Sequence, residues 1–573
     1  MRSDRILRSL IGSANRHRVF AFLFTSLISS AALAQSPGDP ALGERLYRTG
    51  LGADGRPVTA ITQGDVRIAG NQLTCVSCHR PSGMGTSEGG TYVPPITANH
   101  LFAAREANRA LRNERFKEMY KEVQTERFYQ DVRKARLRPA YTPETLVRAL
   151  REGLDPAGRA LNPAMPRYEL SDADAANIVA YLATLSKGDD PGVEPDTVHF
   201  ATIVSDGIDA ARADAFVKTI DAYAEWFNRD VRDDLARPGF SPYYRDEFID
   251  SYREWRVHVW RLAGPPEGWR EQLERYYAEQ PVFAVLSGLV AGDFTPVADF
   301  CDAKHVPCLF PVTELPRTAH AEGGYTLYFS RGLELEADAL AAWLSAQKAS
   351  PAHVTVIHSA DAYGRRPATR LAAALAARRP GLAIEAHEVS DAAAMRTAIA
   401  DAAGRDDDTL VIWPGHLAAA ATGALAESPP AAWRVLLPST ALDAARALPA
   451  TVRDKVLVTY PYDKPERIRP DAYRARAWVR SRRLPIVKWD DQREAYFALR
   501  MTDWAMAHLL SDYHRDYLIE IIEHEVENSL DPGPQPQMAL GPGQRFGSKG
   551  AFIMRLDPDA PSGLVAVSDW IVP

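Results

Sequence analysis

The spacing of hydrophobic and polar positions changes near residue 190 and divides the chain into two parts. From Ala41 to Leu185, apolar residues recur mostly at helical spacing around a Gly/Pro-rich middle. After Thr197, short apolar runs of strand composition are mostly followed by segments of helical composition. The runs lie at residues 200–204, 257–262, 282–286, 306–310, 354–358, 410–413 and 435–437. This alternation predicts parallel sheets covered by helices on both faces, and the roughly 375 residues involved are enough for two α/β lobes.

The first part is predicted to be mainly helical. Residues 142–153 and 171–185 have helical spacing, and Ser171 with Asp174 three positions later resembles a capping box. Residues 102–137 carry many charged and aromatic side chains at helical spacing. They predict one or two surface helices, which would be a solvated face, an insertion or a docking surface.

The amino terminus has the pattern of a secretory signal. Arginines precede an apolar run from Val19 to about Ala32, and a small-residue cleavage site ends at Ala34. The run of about 16 apolar and small residues is short for a bilayer span, and no later run is long enough. We expect residues 1–34 to be removed and the mature protein to be exported to the periplasm, soluble and without a membrane span. A linker at residues 186–192 then separates domains at residues 35–190 and 197–573.

Composition narrows the classes of function. The chain has 573 residues, of which 46% are hydrophobic and 25% charged, and its formal net charge is -7. These values are typical of a globular protein and give no reason to expect nucleic acid as a partner. Only four cysteines are present, which excludes a small scaffold held together by many disulfides.

The most specific chemical signal is the sequence Cys75-Val76-Ser77-Cys78-His79. In an exported chain, C-x-x-C-H is the attachment pattern of c-type haem. The two thiols form thioethers with the porphyrin, and the adjacent imidazole becomes the proximal iron ligand. A zinc site needs further ligands, and a thioredoxin-like dithiol follows a strand in a βαβ unit; neither context is evident here. Because the motif occurs once, the sequence predicts one covalent haem c and excludes a dihaem peroxidase.

Three downstream residues are candidates for the second axial ligand: Met84, His100 and Met165. Met84 follows His79 by only five residues, so the loop would have to wrap over the porphyrin at once. Met165 lies in a loop bracketed by prolines, just before the last helix of the first part. Such a rigid loop can hold a thioether against iron, because the side chain has few other conformations to sample.

The order of these motifs resembles class I cytochrome c. It runs from Gly43–Tyr47 through C-x-x-C-H and the Met165 loop to Ile178–Leu182, and is most similar to the cytochrome domains that accompany periplasmic alcohol dehydrogenases. Over roughly residues 40–186, the resemblance implies an all-α domain with His79 and Met165 as axial ligands. It also implies transfer of single electrons, without enzyme activity, to or from an exported dehydrogenase. In an alternative hypothesis, Met165 dissociates and leaves an open coordination position on the iron, and the protein is an enzyme.

The second part resembles the type I periplasmic binding proteins, such as the substrate-binding components of branched-chain amino acid transporters. The phrases that carry the resemblance are Val282–Gly288, Phe300-Cys301, Val306–Pro311 and Gly324–Ser330. The whole chain is therefore expected to be a multidomain protein, in which an all-α cytochrome c domain precedes a two-lobed α/β fold.

That fold implies a small-molecule ligand held between the lobes by loops at the carboxyl ends of strands. Small polar residues there also commonly cap the following helix. A solute-binding protein of a transporter, or a ligand sensor, with an accessory haem domain is the alternative function. The candidate pocket residues are Ser205, Asp206, Ser287, Thr313, Tyr363, Ser439 and Thr440.

Two further features of the second part have simple interpretations. Cys301 and Cys308 are seven residues apart, and in an oxidising compartment we expect a disulfide between them. His305 between them lacks enough partner ligands for a metal site. The glycine-rich segment Gly541–Gly550 has Gly-Ser-Lys where a phosphate loop has Gly-Lys-Ser, and no clear strand precedes it, so we reject a nucleotide site there.

Overall fold

The computed structural model describes residues 38–573 apart from 89–90, 105–137, 237–252, 320–322, 348–352, 404–408, 430, 432–433, 465–469, 527–532 and 534. The predicted signal at residues 1–34 and most of the charged segment at residues 102–137 lie outside the described residues. Within the described part of the chain, no helix is long and apolar enough to cross a membrane.

The N-terminal unit (residues 38–190) combines helices with short strands. In chain order its elements are α1 (Pro40–Thr49), β1 (Thr59–Ile61), β2 (Arg67–Ala69), α2 (Cys75–His79), β3 (Thr86–Glu88), β4 (Thr91–Val93), α3 (Ala98–Leu101), α4 (Pro143–Glu152), β5 (Arg167–Glu169) and α5 (Asp172–Leu182). The side chain of Ser171 accepts a hydrogen bond from the backbone N–H of Asp174 and caps α5, as the sequence predicted.

Helices α1 and α5 pack at close range because Gly43 has no side chain. A Cβ at this position would lie 2.1 Å from the carbonyl oxygen of Asn177 in α5. The close approach brings the buried rings of Tyr47 and Tyr181 to a centroid distance of 5.3 Å. These rings form part of the hydrophobic core against which the C-x-x-C-H helix packs.

Strands β2, β1 and β5 form an antiparallel sheet, and β3 pairs with β4. The family resemblance implied an all-α domain, whereas this unit also contains short β-strands. Each strand has only three residues, and a two-residue period is too short to recognise over such a length. Strand β5 begins two residues after Met165 and anchors the end of that loop to the sheet.

The C-terminal unit (residues 197–573) begins with a parallel sheet. Its elements are β6 (Thr197–Ser205), α6 (Ala210–Ala236), β7 (Glu254–Leu262), α7 (Trp269–Glu279), β8 (Ala284–Leu286), α8 (Thr295–Lys304), β9 (Cys308–Leu309) and β10 (Thr326–Leu327). The strand order is β7-β6-β8-β9-β10, and all pairs are parallel. Separate hydrophobic clusters on its two faces confirm the predicted helix–sheet–helix layering.

A second sheet follows with the same order in its first five strands. Strands β12, β11, β13, β14 and β15 are parallel, and β16 and β17 extend the sheet in antiparallel fashion. The elements are α9 (Gly332–Ala346), β11 (His353–Ser359), α10 (Ala362–Arg378), β12 (Ala383–Val389), α11 (Ala392–Ala403), β13 (Thr409–Trp413), α12 (Ala418–Glu427), β14 (Arg434–Leu437), α13 (Leu442–Ala445), α14 (Ala450–Arg453), β15 (Val456–Tyr460), β16 (Phe552–Leu556) and β17 (Leu564–Ala566).

Three later helices connect the parts of the molecule: α15 (Pro470–Ser481), α16 (Trp489–Leu509) and α17 (Arg515–Glu525). Helix α16 packs on α6 in the core of the first sheet, although it follows strands of the second. In both sheets the strand order reverses beside the first strand, between β6 and β8 and again between β11 and β13. Ligands of open parallel sheets bind at the carboxyl ends of the strands at such reversal points.

Candidate functional site

The C-x-x-C-H sequence forms a single helical turn, α2, which His79 ends. Arg80 follows with φ 65°, which turns the chain sharply. Gly85 lies in the next turn with φ 77°, and its N–H donates to the carbonyl oxygen of His79 at 3.0 Å. A Cβ on Gly85 would lie 2.1 Å from the carbonyl oxygen of Val93, so only glycine allows this turn to approach the end of β4 so closely.

His79 is buried, with 5% of its surface exposed. Its Nδ1 lies 3.2 Å from the carbonyl oxygen of Pro94. Because a carbonyl oxygen only accepts, Nδ1 carries the proton, and the lone pair of the neutral ring is on Nε2. Burial lowers the pKa of His79 to about 4. The imidazole is therefore neutral at ordinary pH and presents the nitrogen that a haem iron requires, with its orientation fixed by a backbone hydrogen bond.

Cys75 and Cys78 are half-buried free thiols one helical turn apart. Burial raises the pKa of the Cys75 thiol to about 11. A mainly apolar pocket adjoins Cys75, and apolar walls suit the face of a porphyrin. The other residues that line it are Leu46, Gly50, Val58, Leu73, Thr74, Leu150, Tyr168, Leu170 and Ile178.

Met165 is the candidate axial ligand that packs against the same hydrophobic core as Cys75. Its loop is braced by two hydrogen bonds to Asn162: Met165 N–H donates to the backbone oxygen at 2.9 Å, and Ala164 N–H to the side-chain oxygen at 3.0 Å. Met84 lies in the turn after His79, where its N–H donates to Ser82 Oγ at 3.0 Å. His100 lies on α3 with its Nδ1 2.8 Å from Thr97 Oγ1.

The residues present thus fit a covalent haem. Two thiols, a buried neutral imidazole and an adjacent apolar pocket lie together, and a braced thioether loop packs on the same core. A haem held there would supply reversible one-electron chemistry. The protein supplies the attachment points, the imidazole orientation and the apolar surroundings.

Helix α17 of the C-terminal unit docks against the turn that follows His79. Glu520 accepts two hydrogen bonds from Ser82, one from its N–H at 2.8 Å and one from its Oγ–H at 2.6 Å. Arg80 Nη2 lies 2.8 Å from Glu523 Oε2. Glu523 also pairs with Arg545, a residue of the rejected phosphate-loop segment. Sequence reasoning missed this contact because nothing local pairs residues more than 400 positions apart.

The predicted pocket residues of the first sheet lie at the carboxyl ends of its strands but bond to their own chain. Ser205 Oγ accepts from Ala291 N–H at 2.8 Å. Asp206 Oδ2 accepts from Gly264 N–H at 2.9 Å. The remaining two residues do the same: Ser287 Oγ donates to the Phe310 carbonyl at 3.0 Å, and Thr313 Oγ1 accepts from Leu315 N–H at 3.2 Å.

Tyr363, at the start of α10, connects the two sheets. Its hydroxyl accepts a hydrogen bond from Gly292 N–H at 2.6 Å, beside the loop that Ser205 holds. Ser439 lies elsewhere in the second sheet, where its N–H and hydroxyl donate to Glu336 at 2.9 and 2.5 Å. Thr440 next to it is exposed. The structure therefore brings Tyr363 and Ser205 to one region and places Ser439 with a different partner.

Two polar clusters of the C-terminal unit were not predicted. Arg212 of α6 makes a bidentate ion pair with the buried Asp491 of α16, 279 residues away. Asp361, after β11, caps α10 and bonds to Ser359 and His416. The position of Asp361 before a helix is a recognisable capping signal, whereas Arg212 gives no local signal.

The structure contradicts the disulfide predicted between Cys301 and Cys308. Both are free thiols, fully buried in an apolar core between α8 and the first sheet. Their side chains are adjacent, and burial, with the Cys301 neighbour, raises the pKa of Cys308. The two residues act as small apolar side chains there. His305 stacks on Tyr325, and no group of metal-ligating side chains occurs among the described residues.

A sequence model of the cytochrome c family matches residues 68–186. No curated protein sequence matches the chain. Solved structures with a similar shape include a substrate-binding protein of an ABC transporter from Aeropyrum pernix (13% identity, 66% of this chain and 96% of that one, TM-score 0.49). A second is a possible leucine/isoleucine/valine-binding protein from Rhodopirellula baltica SH 1 (13% identity, 65% of this chain and 97% of that one, TM-score 0.48). A third is a fatty acid ABC transporter substrate-binding protein from Thermomonospora curvata (15% identity, 68% of this chain and 95% of that one, TM-score 0.48).

The family match and the two sheets described above agree with the resemblances found in the sequence. Residues 68–186 are thus similar to the cytochrome c family, and an α/β unit built on two mainly parallel sheets follows them in the chain.

Proposed function

We propose that this protein is an exported, periplasmic monohaem cytochrome that passes single electrons and carries a small-ligand binding unit. Cys75 and Cys78 attach haem c, and His79 and Met165 are its axial ligands. The observation that carries the proposal is His79: it ends the C-x-x-C helix, is buried and neutral, and has its Nδ1 bonded to a carbonyl oxygen.

Two protein ligands close the coordination shell, so the site favours electron transfer over activation of oxygen or peroxide. A methionine ligand also raises the reduction potential. The protein keeps the imidazole neutral and oriented, and the apolar pocket excludes water from one side. An exported dehydrogenase is the proposed redox partner, in line with the family that the motif order resembles.

The C-terminal unit is proposed to be two-lobed and to bind a small molecule between its sheets. Support comes from the two strand-order reversals and from the polar groups that lie at the carboxyl ends of β6, β8 and β11. The hydrogen bond between Tyr363 and Gly292 joins the two lobes at this place.

The test is an absorption spectrum of the purified mature protein, oxidised and reduced, for the wild type, Met165→Ala and the matched control Met84→Ala. We expect a low-spin c-type spectrum with a methionine–iron charge-transfer band in the wild type and in Met84→Ala. Met165→Ala should lose the band and bind added imidazole. A wild-type high-spin spectrum, or loss of the band in Met84→Ala alone, would overturn the assignment.

A further inference from the structure

The strongest unexplained feature of the molecule is a buried carboxyl group at the junction of the two units. Glu520 of α17 has 8% of its surface exposed, and Ser82, which donates both hydrogen bonds to it, has 1%. Ser82 is itself fixed, since its carbonyl accepts from Ser186 Oγ at 2.7 Å and its Oγ accepts from Met84 N–H. It lies three residues after His79, so a carboxyl group of the C-terminal unit is held on the turn that directly follows the proposed iron ligand.

The charges around Glu520 leave it only partly compensated. Arg80 is the nearest cation, but it forms its ion pair with Glu523. Asp516, on the same helix, adds a negative charge. The other titratable and charged groups that face this region are Glu523 and Tyr517 on α17, Tyr47 and Arg48 on α1, and Arg545 on the segment that pairs with Glu523.

Burial is the main influence on this carboxyl group and raises the pKa of Glu520 to about 8. The hydrogen bonds from Ser82 and the charge of Arg80 act in the opposite direction. A nearby change of one unit of charge then alters the protonation of Glu520 near neutral pH, because charges interact strongly where water is excluded.

We propose that Glu520 is a redox-linked proton site, which holds a proton while the haem iron is reduced and releases it when the iron is oxidised. This inference rests on the proposed haem function. On oxidation, one electron leaves the ferrous iron for a one-electron acceptor protein. The O–H bond of Glu520 breaks, its proton passes to water, and the carboxylate that remains is held by the two donors of Ser82. Reduction reverses both transfers.

The physical basis is the charge of the iron centre. Ferric haem carries one more positive charge than ferrous haem, so oxidation favours the carboxylate form of a nearby acid. By linkage, the proton must affect the reduction potential by the same free energy. A residue of the C-terminal unit thus acts as a positioning and tuning group for the haem of the N-terminal unit.

The test is the midpoint potential of the full-length haem protein, measured by spectroelectrochemistry between about pH 6 and 10. In the wild type, the potential should fall as pH rises, by at most 59 mV per pH unit, which is the value for one proton per electron. Glu520→Gln should remove this slope. Glu525→Gln, on the same helix but paired with His524, is the matched control and should keep it.

A second measurement separates tuning from folding. Redox-difference infrared spectra of the wild type, labelled with ¹³C-glutamate, should show a carboxylic C=O band that disappears on oxidation, and Ser82→Ala should move the pH interval upward. A potential that is independent of pH, or a slope unchanged in Glu520→Gln, would overturn the inference while leaving the haem assignment intact. A protein without covalent haem would overturn the proposed function instead.

Discussion

The two units treat the polar groups of their candidate sites differently. In the N-terminal unit, His79 uses one ring nitrogen in a hydrogen bond and has its lone pair on the other. In the C-terminal unit, Ser205, Asp206, Ser287 and Ser439 already bond to other parts of the chain. The first unit is therefore preorganised for its cofactor. In the second, the proposed ligand would have to replace contacts that the protein makes with itself.

The largest effect expected from this comparison concerns the cofactor. Replacing both Cys75 and Cys78 by alanine should abolish covalent haem, because the other two thiols, Cys301 and Cys308, are buried in a core of the C-terminal unit. The measurement is haem absorbance that remains with the polypeptide after denaturation. Cys301→Ala is the control and should retain covalent haem, since that thiol lies in the core of the other unit. Covalent haem in the double variant would contradict the attachment site.

A smaller effect is expected at Glu336 in the C-terminal unit. It measures how completely hydrogen bonds within the unit compensate for the burial of a polar group. Glu336 accepts hydrogen bonds from Ser439 and Thr459, yet burial raises its pKa to about 7. The unfolded chain loses this proton near its ordinary pKa, so the free energy of unfolding should fall as pH rises from about 4.5 to 7, by up to about 3 kcal/mol.

Glu336→Gln should remove that contribution. The measurement is the urea midpoint of the wild type and the variant across this pH interval, read as the difference between them. Glu385→Gln, at a half-buried position on β12, is the control and should follow the wild type. Parallel pH profiles for Glu336→Gln and the wild type would show that Glu336 titrates normally.

The smallest effect concerns the contact between the two sheets. Tyr363→Phe leaves Gly292 N–H without its acceptor, which should lower the free energy of unfolding by about 1 kcal/mol. If this bond holds the sheets together, the variant should also have a larger radius of gyration by small-angle X-ray scattering. Tyr276→Phe removes an exposed hydroxyl contact within the first sheet and should leave the radius unchanged. Equal radii in all three proteins would contradict a closing role for Tyr363.

Local features of the sequence were sufficient for the C-x-x-C-H turn and for the layered architecture. Five consecutive residues define the C-x-x-C-H turn, and the apolar runs coincide with strands such as β6 and β11. The strands of the N-terminal unit escaped detection because they have three residues each. The disulfide prediction was wrong because compartment and spacing do not reveal that Cys301 and Cys308 fill an apolar core.

Contacts between distant residues could not be predicted in the same way. Arg212 with Asp491, and Ser82 with Glu520, are charged or polar residues with ordinary neighbours in sequence. The first pairing depends on the packing of α16 against α6, and the second depends on the docking of α17. Only the assembled fold defines those positions.

The docking of α17 also sets an order of events during synthesis. Its carboxylates reach residues 438 and 443 positions earlier in the chain. Contacts of such separation form only after nearly the whole polypeptide exists, whereas α1, α2 and α5 lie within the first third of the chain. The turn next to His79 is therefore uncovered while the rest of the protein is being made. Attachment of the porphyrin can be complete before the C-terminal helix closes over that turn.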